Sequence, residues 1–291
     1  MRLPALTTTA LLALSHLSLA EAYWKGFNVG ANNPDGTCKT RDDWAHAFTQ
    51  LASLPGHFTT VRTFATSDCD TLANAVPAAL DTGTQLLVGV WTQDDAHFER
   101  EKVALEAAIR EFGDEWIVAI MVGNEDLYRG EVTAEVLAGK IYDVRGMVRA
   151  LGVEKEVGHA DTWTAWVDGA NEAVIQASDF VAHQGYPYWQ GADIANSASV
   201  YWASVQATRD VVNAVKPGTW VWMTETGWPV TGDDFGAAQA SVWNAQEYWK
   251  QVACEAFNEG HTFWYAYQDY TSTPSFGVIG QDGNPLYDLT C

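Results

Sequence analysis

The sequence predicts an α/β fold, a (β/α)8 TIM barrel in a single compact domain, on three observations. Apolar, β-prone runs alternate with helical segments along the whole chain after residue 22. Eight such runs recur at a typical spacing of about 30 residues, the length of one strand-helix unit of a barrel. No Gly-x-Gly-x-x-Gly follows the first run, which removes the doubly wound alternative.

Taken in order, the first strand is Trp24 to Gly30, and Thr40-Arg41-Asp42-Asp43 reads as a capping box opening a helix through Leu54. Phe58 to Phe64 is the second strand and carries Arg62, a charge that burial obliges to be paired. A helix over Asp70 to Leu80 stops at Gly83, and Gln85 to Trp91 is the third strand. Phe98 to Phe112 is amphipathic, with Val103, Leu105, Ile109 and Phe112 among charges. Trp116 to Val122 is apolar on both faces, as in a parallel sheet covered by helices, and ends Gly123-Asn124-Glu125. A long helix, Thr133 to Leu151, closes at Gly152. The fifth strand, Glu156 to Ala160, leads into Asp161-Thr162-Trp163, and a short helix follows at Asn171 to Ala177. The sixth, Asp179 to Gln184, ends Gly185-Tyr186-Pro187-Tyr188-Trp189. A helix over Ala198 to Val215 is ended by Pro217-Gly218. The seventh strand, the apolar run Trp220 to Met223, leads into Thr224-Glu225-Thr226-Gly227-Trp228-Pro229. Ala237 to Phe257 is the last helix and His261 to Ala266 the eighth strand.

Residues 1–22 read as a secretory signal peptide: Met1-Arg2, an apolar stretch from Leu11 to Leu19, and small residues at Ala20 and Ala22. That leaves residues 23–291 as the barrel and implies a secreted, extracellular or cell-wall location. The apolar stretch falls short of the ~20 residues a membrane span needs. A net charge of -21 excludes nucleic acid and anionic membrane as partners, since both need a basic face. It suits a monomer acting on a neutral ligand. Cys38, Cys69, Cys254 and Cys291 form no close metal pair, so neither metal nor cofactor is expected. Three disulfide connectivities are open. Cys38–Cys69 with Cys254–Cys291, each joining neighbours in sequence, is preferred.

Closing the barrel collects strand ends on one face: Asn28, Arg62, Trp91, Asn124, Glu125, Asp161, Trp163, Gln184, Tyr186, Glu225, Trp228, Trp264 and Gln268. Polar and aromatic types dominate. Glu125 and Glu225 stand out because each closes an apolar strand, the fourth and the seventh. Paired carboxylates across a cleft are what glycosidic bond cleavage requires, one protonating the leaving oxygen and the other attacking the anomeric carbon.

Val122-Gly123-Asn124-Glu125 and Thr224-Glu225-Thr226-Gly227-Trp228-Pro229 resemble the two signatures of glycoside hydrolase family 17, the β-1,3-glucanases and glucanosyltransferases. Asp161 through Trp166, Tyr186-Pro187-Tyr188, and Phe263-Trp264-Tyr265 through Gln268-Asp269 resemble its fungal branch. Val29 and Tyr267-Gln268-Asp269 depart from the plant branch. The resemblance spans essentially the whole chain after the leader. It implies a retaining enzyme on β-1,3-glucan, with Glu225 as nucleophile and Glu125 as acid/base about 5–5.5 Å apart. In that frame Asn124 contacts the sugar 2-hydroxyl, Arg62 supplies Glu225 with an opposite charge, and Tyr186 steers Glu225. Asn28, Asp161 and Gln268 are expected to bind substrate. Trp91, Trp163, Trp189, Trp228 and Trp264 are candidate sugar platforms, Trp228 and Trp264 foremost. An endo-β-1,3-glucanase is the first expectation and a β-1,3-glucanosyltransferase remodelling fungal wall glucan the alternative. A glucan-binding barrel without catalysis would be expected to lack one of the two carboxylates.

Overall fold

The computed structural model describes residues 23–291, so the expected signal peptide lies outside the described residues. Eight parallel strands close a barrel in sequential order, each paired with its chain neighbour and β8 with β1. They are β1 Lys25–Asn28, β2 Thr60–Arg62, β3 Gln85–Val90, β4 Ile117–Asn124, β5 Val157–Thr162, β6 Phe180–Gln184, β7 Trp220–Glu225 and β8 Thr262–Trp264. The helices are α1 Arg41–Ser53, α2 Thr71–Thr82, α3 Asp95–Phe112, α4 Ala134–Ala150, α5 Trp163–Trp166, α6 Glu172–Ala177, α7 Ser197–Val215, α8 Val242–Tyr248 and α9 Cys254–Glu259. Among the described residues no helix is long and apolar enough to cross a membrane.

The Thr40 capping box forms as the sequence implies, Thr40 and Asp43 each satisfying the other's backbone N–H. Two helix starts differ from expectation because polar side chains choose them. Asp94 accepts from His97 N–H and begins α3 three residues earlier than Phe98. Ser241 accepts from Asn244 N–H, so α8 begins at Val242 rather than Ala237, and a π-helical segment Trp249–Ala253 joins it to α9.

Two cores follow from strand alternation. Leu87, Ala119, Met121, Ala160, Ala182, Phe180, Trp222 and Phe263 fill the barrel interior. Their strand neighbours Leu86, Val88, Ile120, Val122, Val181 and Met223 pack outward against the helices. Disulfides join Cys38 to Cys69 and Cys254 to Cys291, the preferred pairing. The first ties the loop after β1 to the loop after β2; the second fastens the C-terminus to α9.

Candidate active site

Both strands that carry a candidate glutamate break their register just before it. On β4, Met121 pairs with Gly158 and Asn124 with Ala160, so three residues advance against two. On β7, Met223 pairs with His183 and Glu225 with Gln184, leaving Thr224 extra. Strict alternation from the inward Trp222 would turn Glu225 outward. The bulge turns it back into the barrel mouth. On β4 the extra residue is absorbed at Gly123, whose φ of +83° suits glycine, and Glu125 itself lies in the left-handed region at φ +56°. Such a conformation in a non-glycine residue persists only where neighbours impose it. Here Glu125 N–H donates to Ala160 O at 2.8 Å and Leu127 N–H to Asp161 Oδ2 at 3.0 Å.

Glu225 is 5% exposed and its oxygens are fully partnered. Arg62 Nη1 and Gln184 Nε2 (2.9 Å) donate to Oε1, and Tyr186 OH donates to Oε2 at 2.7 Å. Burial first, then the Glu225 charge, drives the Tyr186 phenol well above its ordinary pKa, so it stays a donor. Arg62, buried on β2, also donates to Asn28 Oδ1 (2.6 Å) and Asn124 Oδ1 (2.5 Å) and lies over the Phe64 ring at 4.7 Å. Asn28 in turn donates to the carbonyls of Thr224, Phe263 and Trp264. One guanidinium thus joins β1, β2, β4 and β7 beneath the Glu225 carboxylate.

Glu125 has the opposite setting. Burial, reinforced by the Glu225 charge and opposed by Arg129 and Arg62, pushes its carboxyl up from 4.5 to about 7. Burial and the Glu225 charge thus favour a proton on Glu125 although Arg129 Nη1 donates to its Oε2 at 3.0 Å, whereas Glu225 meets the buried Arg62 guanidinium. Glu125, Glu225, Asn124, Tyr186, Tyr265 and Trp189 share a cavity of about 310 Å³, closed further by Phe64, Phe276 and Asp269. A second cavity of about 340 Å³ adjoins it at Glu125, Tyr186 and Trp189 and is walled by Tyr128, Trp163, Thr164 and Gln190.

Several expected substrate contacts are placed elsewhere. Trp228 is 1% exposed, packs on Tyr188 and Tyr248, and donates its indole N–H to Gln239 O. Trp264 is fully buried against Trp249 and Tyr248. Neither offers a ring face to a sugar. Asp161 is fully buried, bound by His159 Nε2 (2.9 Å) and by the Leu127 and Thr162 N–H groups, and fixes the Glu125 turn from beneath. Burial opposes a charge on His159, but the bond to Asp161 and its charge raise the imidazole pKa. Asn28 holds Arg62 rather than ligand, and Gln268 lines neither cavity. Trp91 sits under the Arg129 guanidinium at 5.6 Å, outside both cavity walls. Trp163 and Trp189 do line the cleft. Sequence reading missed Tyr128, Arg129, Tyr265 and Phe276. Of these only Arg129, four residues after Glu125, left a charge-spacing signal.

One group could be thought to bind metal: Asp68, His97 and Glu101 bring ligand atoms within 4.8 Å. Glu101 is spoken for, however, accepting from the backbone N–H groups of Thr66 (2.6 Å), Ser67 (2.8 Å) and Trp91 (3.0 Å). It ties strand ends together.

The sequence profile of the BtgE/BtgC glycoside hydrolase domain matches residues 26–281. The chain belongs to this glycoside hydrolase family. Among its relatives, the "Probable glucan endo-1,3-beta-glucosidase" of Aspergillus oryzae is 38% identical over 98% of this chain and 66% of its own length. The chain thus spans about two thirds of that protein. The glucan 1,3-beta-glucosidase of Saccharomyces cerevisiae is 36% identical, covering 91% of this chain and 90% of its own. The glycoside hydrolase family 17 beta-1,3-glucanosyltransferase from Rhizomucor miehei superposes with a TM-score of 0.78 at 28% identity, over 93% of this chain and 98% of that one. An active-site mutant of a beta-1,3-glucanosyltransferase from the same organism, in complex with laminaritriose, superposes equally well over 91% of this chain and 98% of its own at 27% identity. Membership of the BtgE/BtgC family and these neighbours bear out the resemblance to fungal family 17 drawn from the two glutamate motifs.

Proposed function

We propose that this chain is a secreted, monomeric retaining enzyme that cleaves β-1,3-glucosidic bonds of glucan by double displacement. The observation that carries the reading is the opposed setting of two glutamates on one cavity, Glu225 in contact with a guanidinium and Glu125 pushed up to about 7. In the first step Glu225 Oε bonds to the anomeric carbon as the glycosidic C–O bond breaks, and Glu125 gives its proton to the departing oxygen. In the second, Glu125 takes a proton from the incoming hydroxyl, whose oxygen displaces Glu225 and restores its carboxylate. Asn124, its Oδ1 engaged by Arg62 and Gln184, presents its remaining amide donor at the cavity wall, where a sugar 2-hydroxyl can accept.

The names of the relatives support β-1,3-glucan as substrate. Glu225 faces only the first cavity and Glu125 faces both, so the first suits the glycosyl unit transferred and the second the leaving or accepting chain. The aromatic walls of the second cavity, Tyr128, Trp163 and Trp189, favour a sugar there and with it transglycosylation as the second reading.

A time course on laminarioligosaccharides decides between the branches. Hydrolysis yields only shorter products, and transfer also yields longer or branched ones. Glu225→Ala and Glu125→Ala are each expected to lower kcat on these substrates by on the order of 10³-fold or more. Near wild-type turnover in either would remove that residue from its role. Intact binding of laminarin without release of any product would replace catalysis by binding alone.

A further inference from the structure

Arg129 is the least expected member of the site. Its N–H donates to Glu125 O at 2.9 Å, which places it one helical turn beyond the acid/base. The guanidinium then reaches back: Nη1 donates to Glu125 Oε2 at 3.0 Å, Nε to Glu131 Oε1 at 2.8 Å, and Nη2 to the Asn124 carbonyl. Trp91 lies beneath it. Four contacts hold a side chain that is still 30% exposed, which is more restraint than a surface arginine needs.

We propose that Arg129 is a positioning residue that prepares Glu125 for its second task, stabilising it as the carboxylate base once Glu225 carries the glycosyl group. The inference rests on the assignment of Glu125 as acid/base. The charges facing Glu125 come from four directions: Glu225 on β7 and Asp161 on β5 favour its proton, while Arg62 on β2 and Arg129 on its own loop favour the anion. In the free enzyme burial and Glu225 prevail and Glu125 starts as the acid. Forming the glycosyl ester neutralises Glu225, and the same step moves the Glu125 proton to the leaving oxygen. The new carboxylate then has lost the charge that most strongly opposed it and keeps Arg129 in contact at 3.0 Å. It remains ionised until water or a sugar hydroxyl surrenders a proton to it and attacks the anomeric carbon. Without Arg129, burial alone would favour recapture of a proton from solvent, and the base would be missing when the second step needs it.

The test compares Arg129→Leu and Arg129→Lys on two substrates. Hydrolysis of 2,4-dinitrophenyl β-laminaribioside needs no acid for the first step, so its kcat reports the second. Laminarioligosaccharide needs both. For Arg129→Leu the expected results are a fall of about tenfold in kcat on the aryl substrate with a parallel fall in KM, and a burst of dinitrophenol. The alkaline limb of kcat/KM on laminarioligosaccharide moves up by about half a pH unit to one unit. Arg129→Lys, which keeps the charge, restores most of both. A purely structural role would lower kcat on both substrates equally, with the limb in place and no burst, and that outcome overturns the proposal. The parent assignment is checked separately with Glu125→Ala and azide on the aryl substrate. Failure of azide to restore turnover as glycosyl azide would remove Glu125 from the acid/base role, whereas rescue by azide with an unshifted Arg129→Leu profile would sink Arg129 alone.

Discussion

Two glutamates of identical chemistry are given different proton affinities by what surrounds them, which is what the proposed division of roles requires. Glu225 sits over Arg62, with both side chains almost fully removed from solvent. Arg62→Met would leave that carboxylate buried without its counter-charge, at a cost of about 3–5 kcal/mol in stability measured by denaturant titration. An unchanged midpoint would show the pair to be dispensable. Glu125 is pushed up to about 7, so the form needed for leaving-group protonation exists below that pH. The alkaline limb of kcat/KM is therefore expected near pH 7, with activity lost as pH rises through it. The same shift has a consequence for folding. The folded protein holds this proton more tightly than the unfolded chain, so its contribution is present in full below pH 4.5 and is lost as pH rises to about 7. Glu125→Gln cannot ionise. Relative to wild type it should gain about 3 kcal/mol between pH 4 and pH 8, and a pH-independent difference would contradict the raised value.

At the level of elements, the site depends on two strands that each abandon regular pairing one or two residues before their glutamate. Gly123 is where this is most exposed to test. A Cβ there would meet Asp126 Oδ2 at 2.3 Å and Thr92 Oγ1 at 3.0 Å, on a backbone already at φ +83°. Gly123→Ala should destabilise by about 1–3 kcal/mol and cost more than tenfold in kcat/KM, because the turn that aims Glu125 must shift. Retention of both quantities would mean that the bulge does not set Glu125. The strand order and the two glutamates were legible in the sequence because apolar runs ending in a lone carboxylate are a local pattern. The bulges were not, since an extra residue in one strand is defined only by its partner. Nor could sequence separate the tryptophans. Trp228 and Trp264 adjoin the motifs as closely as any residue does, yet Tyr248 covers both, with Tyr188 on the first and Trp249 on the second, while Trp189 lines the cleft from a short 3-10 turn after β6. Arg129 was overlooked because its meaning depends on a turn that only the Asp161 and Ala160 contacts create.

Across the whole molecule the two disulfides lie at opposite ends of the barrel. Cys38–Cys69 braces loops on the catalytic face, and Cys254–Cys291 closes 37 residues of sequence away from it. Cys254→Ser with Cys291→Ser is expected to lower stability by about 2–4 kcal/mol while leaving kcat/KM at 25 °C within about twofold. A large loss of activity with little loss of stability would place the C-terminus in the catalytic machinery. The barrel otherwise acts as a rigid frame: Arg62 and Asn28 join five of its strands below Glu225, so the proposed nucleophile is held by the architecture rather than by a loop. Double displacement requires that Glu225 become covalently glycosylated. Incubation with 2-deoxy-2-fluoro-β-laminaribiosyl fluoride, followed by proteolysis and mass mapping, tests it directly. The expected result is inactivation with one disaccharide adduct on the peptide bearing Glu225; an adduct on another residue, or continued turnover with no adduct, would remove Glu225 as the nucleophile.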